Sequence, residues 1–265
     1  MARIAIDLSH EQREWNGYYP SIAQQCRALS AHTFEILEKG KTLEAATLAP
    51  YDALILALPC NVEMGAEEVE AVRRWATEEG KGLFLLSFYS GDAHHRTNFN
   101  HLARALGVEF SENVIMPHDR ITNADGHAQV FDRGGADSKY VVRVSPPGGV
   151  LGTHPLAQNL RALGFLSACS LKMQSVPLQF VLHSPKDSAI LEPYMPIRIS
   201  KGWIMKMDWA RSGYDAMPLF AAWQKDFGKI VACGTWKLWL PELLAAQKVD
   251  NAQLFANVLE WLVTK

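Results

Sequence analysis

The sequence contains no run of about 18 uninterrupted apolar residues, so it offers no membrane-spanning helix. It also lacks a Cys-x-x-Cys pair. Its four cysteines (Cys26, Cys60, Cys169 and Cys233) stand far apart and read as reduced thiols of a cytoplasmic protein, not as a disulfide frame or a zinc site. Charge of one sign is missing too: 26 Lys+Arg against 28 Asp+Glu leave a net −2. That balance argues against a dedicated nucleic-acid binder, which carries a concentrated positive excess. Neither a Gly-x-x-x-x-Gly-Lys-Ser/Thr loop nor a Gly-x-Gly-x-x-Gly turn follows the first strand, which disfavours nucleotide binding of the familiar kinds. The opening Met-Ala-Arg-Ile-Ala-Ile-Asp reaches an acid at position 7 and has no apolar core of a secretion signal. No internal repeat or low-complexity tract occurs.

What is present suits a folded chain. Hydrophobic residues make up 48% of the 265, charged residues 20% and aromatic residues 10%. A chain of this length buries roughly three-quarters of its unfolded surface and needs no staples. Arg3 to Leu8 reads as a short strand, followed by a loop from Ser9 to Tyr18 and a helix from about Pro20 to Ala31. Thr33 to Leu37 reads as an edge strand, and Tyr51 to Pro59 as a buried strand stopped by proline. Between Glu67 and Glu79, Val69, Val72, Trp75 and Ala76 share one helical face. Gly80-Lys81-Gly82 ends that helix and Gly82 to Tyr89 supplies the next strand. This alternation of strand and helix predicts an α/β fold with a mostly parallel, doubly wound sheet covered on both faces.

After a short helix closed by Gly107, residues 111–150 turn polar and rich in turn signals, an excursion whose best strand is Tyr140 to Val144. A domain linker is the alternative reading there. Strands are expected again at Val176 to Leu182, Gly202 to Met207 and Gly228 to Gly234. A closing helix is expected from Asn251 to Val263, with Phe255, Val258, Leu259 and Leu262 on its apolar stripe.

Several local signatures coincide along this pattern. They are Asp52-Ala53-Leu54-Ile55-Leu56-Ala57-Leu58-Pro59, Gly80-Lys81-Gly82-Leu83-Phe84-Leu85-Leu86 and Asn98-Phe99-Asn100-His101-Leu102-Ala103-Arg104-Ala105-Leu106-Gly107-Val108. Further on come Thr153-His154-Pro155-Leu156, Gly228 to Gly234 and Asp250 to Val258. Taken in order, they resemble the GldG/intraflagellar-transport (GIFT) type domain of the class I glutamine-amidotransferase-like superfamily. The resemblance implies a flavodoxin-like α/β architecture over residues 1–265 as one domain. It also implies a role in ligand binding or assembly, since the families that carry this domain are mostly binding modules. Architecture follows from it much more than activity does.

In an amidotransferase-like fold the nucleophile sits at a sharp strand-to-helix turn. Here that place is Ser87-Phe88-Tyr89-Ser90-Gly91-Asp92, and none of the cysteines falls in it. Glutamine hydrolysis through a thiolate is therefore not expected. Ser90 is the substitute hydroxyl of a hydrolase reading, with His94, His95 or His154 as the base it would need. In the plainer reading Ser90, Gly91 and Asp92 form a turn and cap the next helix. Asp92, His94, His95 and His101 also have metal-ligand chemistry, but no helical His-x-x-x-His spacing, so no metal or other cofactor is expected.

The stronger expectation is geometrical. In open parallel sheets, ligands bind beyond the carboxyl ends of the strands at the switch in strand order. Asp7, Ser9 and His10 after the first strand, Asn61 after the third, and Tyr89 and Ser90 after the fourth are the candidate ligand-binding residues. Tyr18 and Phe88 would extend an apolar wall. Such a mixture suits a polar uncharged or sugar-like small molecule. The alternative is that Asp7 and Ser9 only cap the following turn. Five of the eight tryptophans (Trp203, Trp209, Trp223, Trp236 and Trp239) lie in one stretch and serve either the core or a partner surface. The sequence as a whole reads as a non-catalytic module that binds a small molecule or a protein partner, with a small-molecule hydrolase as the alternative.

Overall fold

The computed structural model describes residues 1–10, 12, 19–59, 62–117, 141–146, 152–174, 176–193, 199–200, 203–204, 209–244 and 248–264. The first half alternates as its hydrophobic pattern dictates. Strands β1 (Arg3–Asp7), β2 (Thr33–Leu37), β3 (Ala53–Ala57) and β4 (Gly82–Leu86) are separated by helices α1 (Tyr19–Leu29), α2 (Ala45–Leu48) and α3 (Ala66–Thr77). Every residue of β3 and β4 is buried, which is why both read as unbroken apolar runs and not as alternating ones. Helix α3 turns Val72, Trp75 and Ala76 inward and starts with Glu67 and Glu68 in its first turn, where the helix dipole favours acids.

Helices α4 (Gly91–His95) and α5 (Phe99–Leu106) follow β4. Short strands come next: β5 (Val108–Phe110), β6 (Val114–Met116), β7 (Val141–Val144), β8 (Leu163–Leu166) and β9 (Leu171–Met173). The remaining strands are β10 (Leu178–His183), β11 (Ala189–Pro193), β12 (Ile199–Ser200), β13 (Trp203–Ile204), β14 (Trp209–Tyr214), β15 (Pro218–Lys225) and β16 (Gly228–Cys233). Helices α6 (Pro241–Leu244) and α7 (Asn251–Val263) complete the set.

Seven strands make the central sheet, in the order β10-β15-β16-β4-β3-β1-β2. The five from β16 to β2 are parallel, and at one side β15 runs antiparallel to both of its neighbours, β16 and β10. The chain goes from β1 outward to β2, then crosses back over β1 to β3. The order therefore reverses at β1/β3, and the carboxyl ends of these two strands flank the crevice that such a reversal opens. Phe84 of β4 lies at the centre of the core, with ring centroids 6.4 Å from Phe220, 6.2 Å from Trp239 and 6.3 Å from Phe255. Past β16, Gly234 has no room for a side chain, since a Cβ there would sit 1.9 Å from the carbonyl oxygen of Cys169.

The mostly parallel α/β sheet is as the sequence pattern predicts, and so are the edge position of β2 and the closing helix. The excursion carries antiparallel strands where they are described. β6 joins β11 and β14 in a three-stranded sheet, and β7, at the place of the Tyr140–Val144 candidate, pairs with β8. Tyr140 itself, residues 118–139 and residues 147–150 lie outside the described residues. Of the strand expected at 202–207 only Trp203–Ile204 is described, paired with β12. Strand β15 has no counterpart in the sequence reading. Its Leu-Phe-Ala-Ala-Trp run sets two aromatic strand formers against two alanines, so the local signal is mixed and pairing between β10 and β16 settles it as a strand. No helix among the described residues is long and apolar enough to cross a membrane.

Candidate functional site

Strand β1 ends on Asp7, whose side chain is fully buried at the switch point. Four donors converge on its carboxylate. Oδ1 accepts the Ser9 backbone N–H at 3.0 Å and the Ser9 hydroxyl at 2.6 Å; Oδ2 lies 2.9 Å from His10 Nδ1 and accepts Gln12 Nε2 at 3.0 Å. The tight turn after β1 is thus built around one buried anion, which the donors compensate. Ser9 Oγ also lies 3.0 Å from His10 Nδ1.

The other ring nitrogen of His10 faces a second acid. His10 Nε2 is 3.3 Å from Glu68 Oε1, in the first turn of α3. Glu68 is itself pinned, Oε1 accepting the Leu43 N–H and Oε2 the Gly65 N–H, each at 2.9 Å. Burial works against the charged imidazole, but the hydrogen bond and charge of Asp7, followed by those of Glu68, outweigh it and raise the His10 pKa above 6.5. Burial likewise pushes Glu68 upward, yet the Leu43 and Gly65 N–H groups and then His10 leave it below the usual carboxylate value.

Two strands along the sheet from β1, the chain turns from β4 into α4. Ser90 adopts φ 59°, ψ 3°, a left-handed conformation rare outside glycine, and Gly91 follows at φ 45°. Hydrogen bonds hold the strained turn from several sides: Ser87 N–H to Cys233 O at 2.9 Å, Tyr89 N–H to Ser167 O at 3.1 Å and Ser90 N–H to Asn113 O at 3.0 Å. Phe88 and Tyr89 form an aromatic wall with ring centroids 4.3 Å apart, joined by Trp236 at 5.7 Å from Phe88. The buried Lys237 places its ammonium 4.8 Å above the Phe88 ring, a cation–π arrangement.

Asp7, Ser9 and His10 therefore come together as the sequence suggested. Ser9 stays partly exposed at the rim, while Asp7 is wholly internal. Tyr89 and Ser90 sit one elbow away; Tyr89 is partly exposed and Ser90 fully buried. Asn61, Cys60 and Tyr18 lie outside the described residues. Sequence reasoning missed two members of the cluster. Glu68 carries a readable signal, an acid three residues after the helix-capping Gly65. Gln12 carries none, because nothing local says that a glutamine in a loop folds back onto Asp7.

The nucleophile reading finds little support at the elbow. Ser90 Oγ is buried with no hydrogen-bond partner among the described residues. His154, one of its suggested bases, instead accepts the Leu156 N–H at 3.2 Å and stacks on Phe180 with centroids 5.4 Å apart. His95 packs its ring 5.6 Å from Phe88, and the side chain of His94 is outside the described residues. Asp92 acts as a cap: its carboxylate accepts Thr97 Oγ1 at 2.6 Å and the N–H groups of Phe99 and Asn100 at 2.9 and 2.8 Å, at the start of α5. Among the described residues no group of three or more His, Cys, Asp or Glu is placed to hold a metal. Cys26, Cys169 and Cys233 are buried, and burial pushes all three thiols up, Cys169 to about 12, so none of them is a thiolate near neutrality. Trp223, Trp236 and Trp239 are core residues; the side chains of Trp203 and Trp209 are outside the described residues.

Sheet order and the reversal at β1/β3 give an α/β fold of the class I glutamine-amidotransferase-like kind. Comparison with solved structures bears out that architecture. The chain superimposes over its whole length on the mmIFT52 N-terminal domain with a TM-score of 0.68 at 16% identity, covering 98% of that chain. A ThuA-like protein from Bacteroides uniformis matches with a TM-score of 0.58 at 14% identity, over 99% of this chain and 91% of that one. A cytoplasmic protein of Salmonella typhimurium LT2 matches with 0.56 at 13%, over 99% of both chains. Identities this low establish the fold alone. In sequence, the chain is 25% identical over 124 residues to an uncharacterized protein of Aquifex aeolicus (strain VF5), a match over 47% of this chain and 50% of that protein. The chain thus spans about half the length of the curated relative it matches. No family model matches it.

Proposed function

We propose that the chain is a non-catalytic binding module whose ligand, a small polar and sugar-like molecule, sits over the carboxyl ends of β1 and β3. One observation carries the reading. At the position where the fold would present a nucleophile, Ser90 is fully buried and its hydroxyl meets no base among the described residues. By contrast, the end of β1 carries a partly exposed Ser9 beside a dense polar floor of Asp7, His10 and Gln12, and Tyr89 is partly exposed after β4. The Ser9 hydroxyl, donating its hydrogen bond to Asp7, is left to accept from a hydroxyl of a polyhydroxylated ligand. A second reading, an assembly module that takes a protein partner, is favoured by the full-length likeness to the mmIFT52 N-terminal domain and by the resemblance to GIFT-type domains.

Thermal unfolding of the wild type and Ser9→Ala against sugars, amino acids, nucleotides and divalent cations tests this. A ligand at about 100 times its Kd adds roughly 2.7 kcal/mol to the folded state. The midpoint of a domain this large then rises by several degrees. A sugar-dependent rise that shrinks in Ser9→Ala supports the crevice. The absence of a shift with any class overturns the small-molecule reading and makes partner capture the next measurement. Ester or amide turnover abolished by Ser90→Ala overturns the non-catalytic reading.

A further inference from the structure

His10 stands between two carboxylates, one at each ring nitrogen: Asp7 Oδ2 at 2.9 Å from Nδ1 and Glu68 Oε1 at 3.3 Å from Nε2. A neutral imidazole has a single N–H and can donate to only one of them. The geometry on both sides is therefore that of the imidazolium. The two acids belong to different elements. Asp7 ends β1, and Glu68 lies in the first turn of α3, where it also fastens Gly65 and Leu43 of the loop between β2 and α2. The ring is thus the polar tie between the end of β1 and the start of α3 at the mouth of the crevice.

We propose that His10 is a proton-operated latch, closed as the imidazolium across Asp7 and Glu68 and opened on the Glu68 side when the ring loses its proton. Asp7 is fully buried, with a side-chain exposure of 0% against 15% for Glu68, and it makes the shorter contact. The one N–H of the neutral ring therefore stays on Nδ1. The Nε2 lone pair then confronts the Glu68 carboxylate, and the contact becomes repulsive. Glu68 keeps its two backbone donors, so α3 retains its cap while it parts from β1.

Among the described residues the charged groups facing the ring are Asp7 and Glu68 alone; Ser9 and Gln12 are neutral neighbours. Both acids favour the charged ring, and their combined effect exceeds the cost of burial. A folded-state pKa raised above 6.5 means that the stabilisation is complete below 6.5 and is lost as the pH rises through the folded-state value. The inference concerns the latch itself and stands whether or not the crevice takes a sugar.

The test is a histidine NMR titration of the intact chain, with His10→Gln used to identify the His10 resonance and Glu68→Gln to remove one acid. The neutral amide of glutamine can donate to a neutral Nε2, so Glu68→Gln abolishes the need for the second proton. We expect His10 in the wild type to titrate above 6.5 and in Glu68→Gln at lower pH. The thermal midpoint should fall between pH 6 and 9 in the wild type, and fall less in Glu68→Gln. A wild-type His10 titration midpoint at or below 6.5 overturns the proposal, and so does an unchanged His10 titration in Glu68→Gln.

Discussion

Asp7→Asn is the perturbation that asks most of the crevice. It removes one charge and little volume from a carboxylate that receives four hydrogen bonds with no solvent contact. An asparagine can place its oxygen toward the Ser9 pair or toward the His10–Gln12 pair, and the NH2 group then faces donors on the other side. Turning it toward His10 and Gln12 is the cheaper choice. Gln12 Oε1 is buried without a hydrogen-bond partner among the described residues, so the Gln12 amide can flip and accept. The imidazole still loses its buried counter-charge. Hydrogen bonds to charged groups contribute about 1.5–3 kcal/mol each, and breaking a buried ion pair costs about 3–5 kcal/mol. With one side of the carboxylate conserved, Asp7→Asn should cost about 3 kcal/mol. Asp7→Ala, which orphans every donor, should cost about 5 kcal/mol, a large part of the 5–15 kcal/mol typical of a whole domain. In a chain this long the smaller loss corresponds to a fall in Tm of about 6–12 °C. Urea unfolding followed by tryptophan fluorescence, with the slope unchanged, reads it directly. An Asp7→Asn protein within about 0.5 kcal/mol of the wild type would refute the reasoning, because four donors on one buried anion cannot be that cheap to disturb. The large expected cost also makes Asp7→Ala a poor ligand-binding control and the partly exposed Ser9 a better one.

Two further substitutions probe the elbow and the closing helix. Ser90→Gly should raise stability by about 1 kcal/mol, since glycine adopts φ 59° without strain and a buried, unbonded hydroxyl is removed. A loss of comparable size in the urea midpoint would mean that the hydroxyl has a partner. Asn251 is fully buried at the start of α7; its amide donates to Gly164 O at 2.8 Å and Leu238 O at 3.0 Å and accepts the Gly164 N–H at 2.9 Å. Asn251→Ala leaves those backbone groups unpaired and should cost about 3–4 kcal/mol. A loss below about 1 kcal/mol in the same unfolding assay would contradict that accounting.

The elements legible in advance are those whose burial is written as local pattern. The apolar runs of β3 and β4 announce strands covered on both faces, and the 3.6-residue stripe of α3 announces a helix lying against them. Glycine and proline punctuate their ends, so an α/β fold with a mostly parallel sheet follows from one-dimensional information. Asp7, Ser9 and His10 were legible for the same reason: strand ends in such a sheet define the crevice, and β1 is an unmistakable strand. By sequence alone, then, this protein was determined to be a parallel α/β chain with a polar turn after β1 and no thiol at its elbow.

Tertiary structure decided the rest, because the decisive contacts join residues with no local relation. Strand β15 carries a mixed local signal that pairing with β10 and β16 settles. Asp92 reads as a cap for the helix that follows the elbow, and folding hands its carboxylate to Phe99 and Asn100 at the start of α5. Ser90 reads as a hydroxyl offered to the crevice, yet packing has closed over it. Glu68 reads as one acid among several on an exposed helix face, and becomes the second anchor of His10 only when β1 and α3 meet. Local pattern reports whether a side chain prefers burial. Its partner, and with it its charge state and chemistry, is set by the distance to groups that the fold alone brings near.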